Sequence, residues 1–175
     1  LGTERIEDVV ANCLDALPAL AQEVGKTTPV AIVESGGLVA KQQIVGVLRD
    51  AFMHLYRNAV DHGLEGPEER RLASKPPAGT IQLKVTADTG LVRLSLSDDG
   101  RGLDLQRLLS KAQERGLLSS EPNGDQEIAN LVFASGLSTA SEVTEISGRG
   151  VGMDAVRASI RKEGGEVELE LGQTL

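Results

Sequence analysis

Apolar residues recur at steps of three and four along residues 5–24, at Ile6, Val9, Val10, Cys13, Leu14, Leu17, Leu20, Ala21 and Val24. That spacing predicts one helix with a single apolar face. Pro18 lies inside it and is expected to kink or break it, and Gly25 to stop it. Residues 28–35 form a short β-rich run closed by Gly36 and Gly37. A second helix is predicted from about Val39 to His62, burying Ile44, Leu48, Ala51, Phe52, Leu55, Ala59 and Val60, with Gly63 in the capping position. Residues 64–79 read as a charged loop ending in Pro76 and Pro77.

Beyond that loop the period changes to two. Ile81, Leu83 and Val85 alternate with polar residues, and so do Val92, Leu94 and Leu96. The link Asp88-Thr89-Gly90 is a turn, so the two runs predict a hairpin. Residues 105–115 read as a helix stopped by Gly116, and residues 125–133 as another with Asp125 as N-cap. Residues 134–147 are a Gly/Ser/Thr-rich loop, residues 153–163 a helix closed by Gly164 and Gly165, and residues 166–171 a last alternating strand. Helices and strands are mixed around an antiparallel hairpin. This order predicts an α+β fold, a two-layer α/β sandwich whose mixed, mostly antiparallel sheet carries helices on one face. A regular βαβ alternation is absent, which disfavours a dinucleotide-binding Rossmann domain.

Composition narrows the function. The chain has 175 residues, a single domain's worth, with a formal charge of -8. An acidic chain without basic runs is a poor partner for nucleic acid or an anionic membrane. Three aromatics, Phe52, Tyr56 and Phe133, cannot build a base-stacking platform. One cysteine, Cys13, excludes an internal disulfide framework and a Cys-based zinc site. No apolar run reaches the length of a membrane span, and no signal segment precedes the first helix. The expectation is a cytoplasmic piece of something longer, without membrane insertion.

Chemistry concentrates in three places. His54, Asn58 and Asp61 or His62 share one face of the second helix, offset from its apolar stripe, with Arg57 adjacent. Asn and His offer an oxygen and a ring nitrogen that can meet a metal or a phosphate. Next, a strand ends in Asp98-Asp-Gly-Arg-Gly102. Asp98 there can accept a hydrogen bond from an exocyclic amine while Gly100 and Gly102 let a flat ligand approach the backbone. Third, Gly148-Arg-Gly-Val-Gly152 runs directly into a helix, where backbone N–H groups and the helix dipole form an anion cradle. It is neither a Walker loop nor the dinucleotide fingerprint. Each segment alone also reads as an ordinary polar face, turn or cap.

Together and in this order, the three resemble the GHKL ATPase superfamily of gyrase, heat-shock chaperone, histidine kinase and MutL. Within it the chain most resembles the ATP-binding domain of the CheA-type chemotaxis histidine kinases. The matching stretches are His54-Leu-Tyr-Arg-Asn-Ala-Val-Asp-His-Gly63 (N box), Asp98-Asp-Gly-Arg-Gly-Leu-Asp104 (G1 box), Phe133-Ala-Ser-Gly-Leu-Ser-Thr139 (F box) and Gly148-Arg-Gly-Val-Gly-Met-Asp154 (G2 box). The resemblance runs over essentially the whole chain.

The resemblance implies the Bergerat α/β sandwich, one catalytic domain over residues 1–175, and residues 1–25 as a connecting helix or part of the domain's own layer. It implies ATP and Mg2+ as cofactors. Asn58 would be a magnesium ligand, with His54 one turn earlier, close to metal and phosphates. Arg57, catalytic with His54 and Asn58, and His62 would contact phosphates or ribose, Asp61 would be a further nucleotide-binding residue, and Asp98 would face the adenine amino group. Gly100 and Gly102 would admit the base. Gly148, Arg149, Gly150, Val151 and Gly152 would cradle the phosphates, Ser138 and Thr139 would belong to a mobile lid, and Arg107 and Lys111 would lie near the phosphate tail.

The implied activity is transfer of the γ-phosphoryl group of ATP to a histidine on a separate phosphotransfer domain. A response regulator and chemoreceptor-coupling proteins would be further partners, and dimerisation would use other domains. Three departures bear on this. The family's Phe-x-Pro-Gly-Phe-Ser-Thr reads Phe133-Ala-Ser-Gly-Leu-Ser-Thr139, Ala140 stands where relatives often carry Lys, and the family's further strand has no counterpart before Leu175. The altered lid favours a second reading, a degenerate module that binds nucleotide as a regulator or scaffold. An ATP-hydrolysing topoisomerase or mismatch-repair enzyme is disfavoured by His54 in place of the water-activating Glu.

Overall fold

The computed structural model describes residues 2–137 and 152–172. These fall into two compact units, Leu1–Arg101 and Gly102–Leu175. In the first unit the order is β1 (Thr3–Arg5), α1 (Ile6–Glu23), β2 (Val30–Glu34), β3 (Val39–Lys41), α2 (Gln42–Asn58), a π-helical turn (Ala59–Gly63), α3 (Pro67–Leu72), β4 (Thr80–Asp88) and β5 (Leu91–Asp98). In the second it is α4 (Leu105–Glu114), α5 (Asp125–Asn130), a 3-10 turn (Leu131–Phe133) and α6 (Met153–Lys162).

The main sheet of the first unit runs β2-β4-β5. β2 is parallel to β4, and β4 antiparallel to β5, so the sheet is mixed as expected. Its register sets two faces. Ala31, Ile81 and Asp98 align across the strands, as do Val33, Leu83 and Leu96. This face packs on α1 and α2 around Val9, Val10, Cys13, Phe52, Tyr56 and Val60. The opposite face carries Gln82, Lys84, Ser95 and Ser97. Helices therefore cover one face of this sheet, the layering of the GHKL fold. Thr89 and Gly90, at φ 38° and 86°, form the two-residue turn of the hairpin.

Local rules explain several boundaries. α1 ends in a Schellman motif: Gly25 takes φ 67°, and the N–H groups of Gly25 and Lys26 donate to the carbonyls of Gln22 and Ala21. Pro18 does not break α1. Its ring lies on the exposed face, where water can take the carbonyl that loses its donor.

Five further expectations are corrected. Residues 39–41 are not the start of the second helix but a strand, β3, paired antiparallel with β1. The buried stripe of α2 is centred on Val45, Phe52 and Tyr56, and Leu55 is only half-buried. The charged loop contains α3, with Pro67 at its first position and Glu69 accepting from the Gly66 N–H. Residues 166–171 alternate in sequence but form no strand, and Gly124 rather than Asp125 is the N-cap of α5.

α3 exists to deliver Arg70. This side chain is 1% exposed. Its Nη1 donates to Glu65 Oε2 at 2.8 Å, its Nη2 to Asp99 Oδ2 at 2.9 Å and its Nε to the Pro76 carbonyl at 2.7 Å. Lys75 Nζ donates to Glu65 and to the carbonyls of Asp99 and Gly100, each of the latter at 2.9 Å. Burial alone would raise the Glu65 carboxyl, but Lys75, a backbone N–H and Arg70 hold it below the usual range. Asp99 is likewise lowered: the Thr80 N–H and Arg70 outweigh its desolvation.

Removing one partner of a buried pair costs about 3–5 kcal/mol. Arg70→Met should therefore destabilise the chain by roughly that amount, with Arg70→Met/Glu65→Leu recovering a large part of it. Both carboxyls are depressed on folding, so their stabilisation is complete above the unfolded carboxylate range and is lost as pH falls through their folded values. Urea denaturation from pH 6 to pH 3 should show a falling midpoint in the parent and a shallower fall in Arg70→Met. Equal slopes would contradict the network's role.

Candidate functional site: the end of strand 5 and the turn after helix 2

α2 does not end in an ordinary cap. Its last residues widen into the π turn, where the Leu64 N–H donates to the Ala59 carbonyl at 2.8 Å. Helix ends leave carbonyls without intrahelical donors. Here Lys26 Nζ donates to the carbonyls of Val60 and Asp61 at 2.6 and 2.7 Å. Desolvation and the nearby Arg101 charge pull the Lys26 pKa down. His54, Arg57, Asn58 and Asp61 are half-buried along this stretch, and His62 is exposed.

Opposite the π turn stands the end of β5. Its pleat alternates, so Leu94, Leu96 and Asp98 share the face that looks toward the helices. Asp98 thus continues an apolar register with a carboxylate. Its Oδ1 accepts from the Gly100 N–H at 2.9 Å, and its Oδ2 accepts no hydrogen bond from the described residues. Asp98 is exposed as a residue, while its carboxyl lies against the backbone of Gly63 and Gly100. Desolvation, with the charges of Asp99 and Glu65, raises its pKa against the Gly100 N–H and Lys75.

Two glycines make this junction possible. A Cβ on Gly63 would stand 2.8 Å from Asp98 Oδ2, and a Cβ on Gly100 would stand 2.0 Å from the Gly63 carbonyl oxygen. A Cβ on Gly100 would overlap backbone, and one on Gly63 would displace the Asp98 carboxylate. The Arg101 N–H donates to the Gly63 carbonyl at 2.9 Å, welding the end of β5 to the end of the N box. Gly63 is therefore needed for close approach, not for a left-handed cap. Gly102 is different: it takes φ 75° and has nothing within 4 Å of a built Cβ, so its conformation requires glycine.

In the second unit, Asp104 caps α4 by accepting from the Arg107 N–H at 2.9 Å. Arg107 and Lys111 stand one turn apart on this helix, Arg107 exposed and Lys111 half-buried. Gly152 is buried at the N-cap of α6. Ser138, Thr139, Ala140, Gly148, Arg149, Gly150 and Val151 lie outside the described residues, as does most of the expected lid.

Sequence reasoning brings Asp98, Gly100 and the N box to one place but misses Lys26, Glu65, Arg70, Lys75 and Asp99. The helix-start signal Gly66-Pro67-Glu68-Glu69 was available for α3. Nothing in a local pattern marks Arg70 as buried. Among the described residues, no group of three or more His, Cys, Asp and Glu side chains could hold a metal ion alone. No helix among them is long and apolar enough to cross a membrane.

The model of the histidine kinase-, DNA gyrase B- and HSP90-like ATPase family matches residues 46–174. The chemotaxis protein CheA of Salmonella typhimurium is 40% identical over 154 residues, covering 88% of this chain and 23% of that protein. The sensor histidine kinase CheAY of Helicobacter pylori is 40% identical over 154 residues, 86% of this chain and 19% of its own length. The gliding motility regulatory protein of Myxococcus xanthus is 35% identical over 164 residues, 90% of this chain and 21% of its own. The chain spans about a fifth of these relatives, 19–23% of their length. With its mixed sheet, its one-sided helical layer and its N and G1 boxes joined backbone to backbone, the chain belongs to the histidine kinase-, DNA gyrase B- and HSP90-like ATPases, and over most of its length it is similar to part of the CheA proteins.

Proposed function

We propose that residues 1–175 form one Mg-ATP-binding catalytic domain that transfers the γ-phosphoryl group of ATP to a histidine on a separate phosphotransfer domain, in two-component signalling. The observation that carries the reading is Asp98. Its Oδ2 is an open acceptor beside a joint from which side chains are excluded. An adenine amino group is a donor that fits this acceptor. A guanine carbonyl in the same place would face a carboxylate and be repelled. The family match crosses both compact units, which supports treating them as one domain.

The chain's charge of -8 cannot attract ATP. Binding has to use local groups, namely Arg57, His62, Arg107 and Lys111 with the backbone N–H groups of residues 148–152. Asn58 and His54 are the residues that would hold Mg2+. This suits the ion, which keeps several waters and takes one or two protein ligands together with phosphate oxygens. Bound Mg2+ supplies neutralisation of phosphate charge, and positioning does much of the rest of phosphoryl transfer.

His54 and His62 are the only histidines, and both sit in the N box. The acceptor histidine therefore belongs to another domain or chain, and a response regulator and receptor-coupling proteins follow as downstream partners in the cytoplasm. The altered F box, with Ala140 in the lysine position, favours a slower kinase or a nucleotide-binding regulator as the second reading.

Incubating the chain with labelled ATP, Mg2+ and a phosphotransfer domain from a CheA-type relative should yield acid-labile phosphohistidine on that domain. Nucleotide binding without any phosphohistidine would favour the regulatory module, and phosphate release far above transfer would favour an ATP hydrolase. Asn58→Ala should weaken magnesium-dependent ATP binding by at least about 10-fold. Its thermal midpoint should move by less than about 4 °C, because Asn58 lies off the apolar stripe; an unchanged affinity would remove it from the metal site. Asp98→Asn should cost ATP affinity about 10- to 100-fold, the worth of one hydrogen bond to a charged group. A parent chain with equal affinity for ATP and GTP would undercut the adenine assignment.

A further inference from the structure

Asp98 does not set its own direction. Its one hydrogen bond comes from the Gly100 N–H, so its aim depends on where Gly100 is held. The Gly100 carbonyl is held by Lys75, which donates no hydrogen bond to Asp98 among the described residues. Lys75 Nζ donates to the carbonyls of Asp99 and Gly100 and to Glu65. An ammonium has three donors, and all three are spent on this loop, leaving none for a phosphate. Behind it, Arg70 grips both carboxylate oxygens of Asp99, and Asp99 and Thr80 exchange hydrogen bonds at 2.8 and 3.1 Å.

The backbone delivering Lys75 is itself constrained. Ser74 takes φ 57° just after α3, where glycine is the usual occupant. The N–H groups of Ser74 and Lys75 donate to the carbonyls of Arg71 and Arg70 at 3.1 and 2.9 Å. A non-glycine residue in this region persists only where its surroundings over-determine it. The strained turn aims the Lys75 side chain back at the end of β5.

We infer that Lys75, backed by Arg70, is a positioning residue for base selection: by clamping the Asp99 and Gly100 carbonyls it fixes the Asp98 carboxylate in the direction that favours an exocyclic amine over a carbonyl. This rests on the nucleotide reading above. The same ammonium charge also opposes the desolvation, and the charges of Asp99 and Glu65, that raise the Asp98 pKa. Lys75 thus holds the backbone that aims Asp98 and favours its charged form.

The test compares the full chain with Lys75→Met, Lys75→Arg and Asp98→Asn. It measures dissociation constants for ATP and GTP, and the Asp98 carboxyl titration by NMR without nucleotide. Lys75→Met should narrow the preference for ATP over GTP by roughly 5- to 10-fold and shift the Asp98 titration to higher pH, and Lys75→Arg should restore part of both. If Lys75→Met does not fold, Lys75→Met/Glu65→Gln removes the stranded carboxylate and is read on the ATP/GTP ratio, because losing the Glu65 charge offsets the titration shift. A folded Lys75→Met variant with the parent's ATP/GTP ratio and Asp98 titration would overturn the inference alone. A parent with no preference for ATP would overturn the nucleotide reading beneath it.

Discussion

A guanidinium buried to 1% exposure is the constraint on which the rest of the first unit turns. Taking a charge out of water is expensive unless it is paired and hydrogen-bonded. Arg70 meets this demand with partners drawn from distant parts of the chain: Glu65 before α3, Pro76 after it, and Asp99 beyond the hairpin. Satisfying one side chain therefore fixes residues 64–79 against the end of β5. An arginine suits this task because its planar fork offers donors in several fixed directions at once. The end of β5 is thereby tied to residues 64–79 by an ion-pair network as well as by apolar packing.

The junction between β5 and the π turn follows from that anchoring. Backbone meets backbone there, through the Arg101 N–H and the Gly63 carbonyl, with no room for a Cβ on Gly63 or Gly100. The π turn leaves carbonyls that need donors, and Lys26 supplies two from the far side of the chain. Cations in this acidic protein are thus used as internal fasteners. Lys26, Arg70 and Lys75 are each committed to protein oxygens. The groups proposed for the phosphates lie on other segments.

How much of this was readable beforehand depended on range. The hairpin was legible because period-two alternation and a Thr-Gly turn are local signals. The alternation even reaches Asp98, two residues past Leu96, so its facing was written in the pattern. The strand β3 was not legible, because residues 39–41 are extended only through pairing with Thr3–Arg5. The converse failure is residues 166–171, where alternation alone did not make a strand: a strand needs a partner, and the described residues give it none. α3 was hidden because its one buried side chain is an arginine, which a hydrophobic pattern counts as surface. Gly63 was legible as a glycine with a purpose, but the purpose, the approach of Asp98, belongs to a residue 35 positions away.

The shortage of aromatics makes the aim of Asp98 matter more than it would elsewhere. Phe52 and Tyr56 are locked in the core, 4% and 0% exposed. Phe133 has Arg157 over one face of its ring, the guanidinium carbon 4.6 Å from the centroid. Two of the three aromatics are thus unavailable to stack on a base, and stacking is the term that tolerates any base. Under the proposed function, discrimination would fall on an edge contact, whose strength depends on direction and on the charge of the acceptor. A carboxylate on a short Asp side chain at a strand end has little stiffness of its own. Its stiffness comes from the Gly100 N–H, from the Lys75 clamp on the carbonyls around it, and from the buried arginine behind both. In a site built of glycine and backbone, selectivity resides in whatever holds the backbone still.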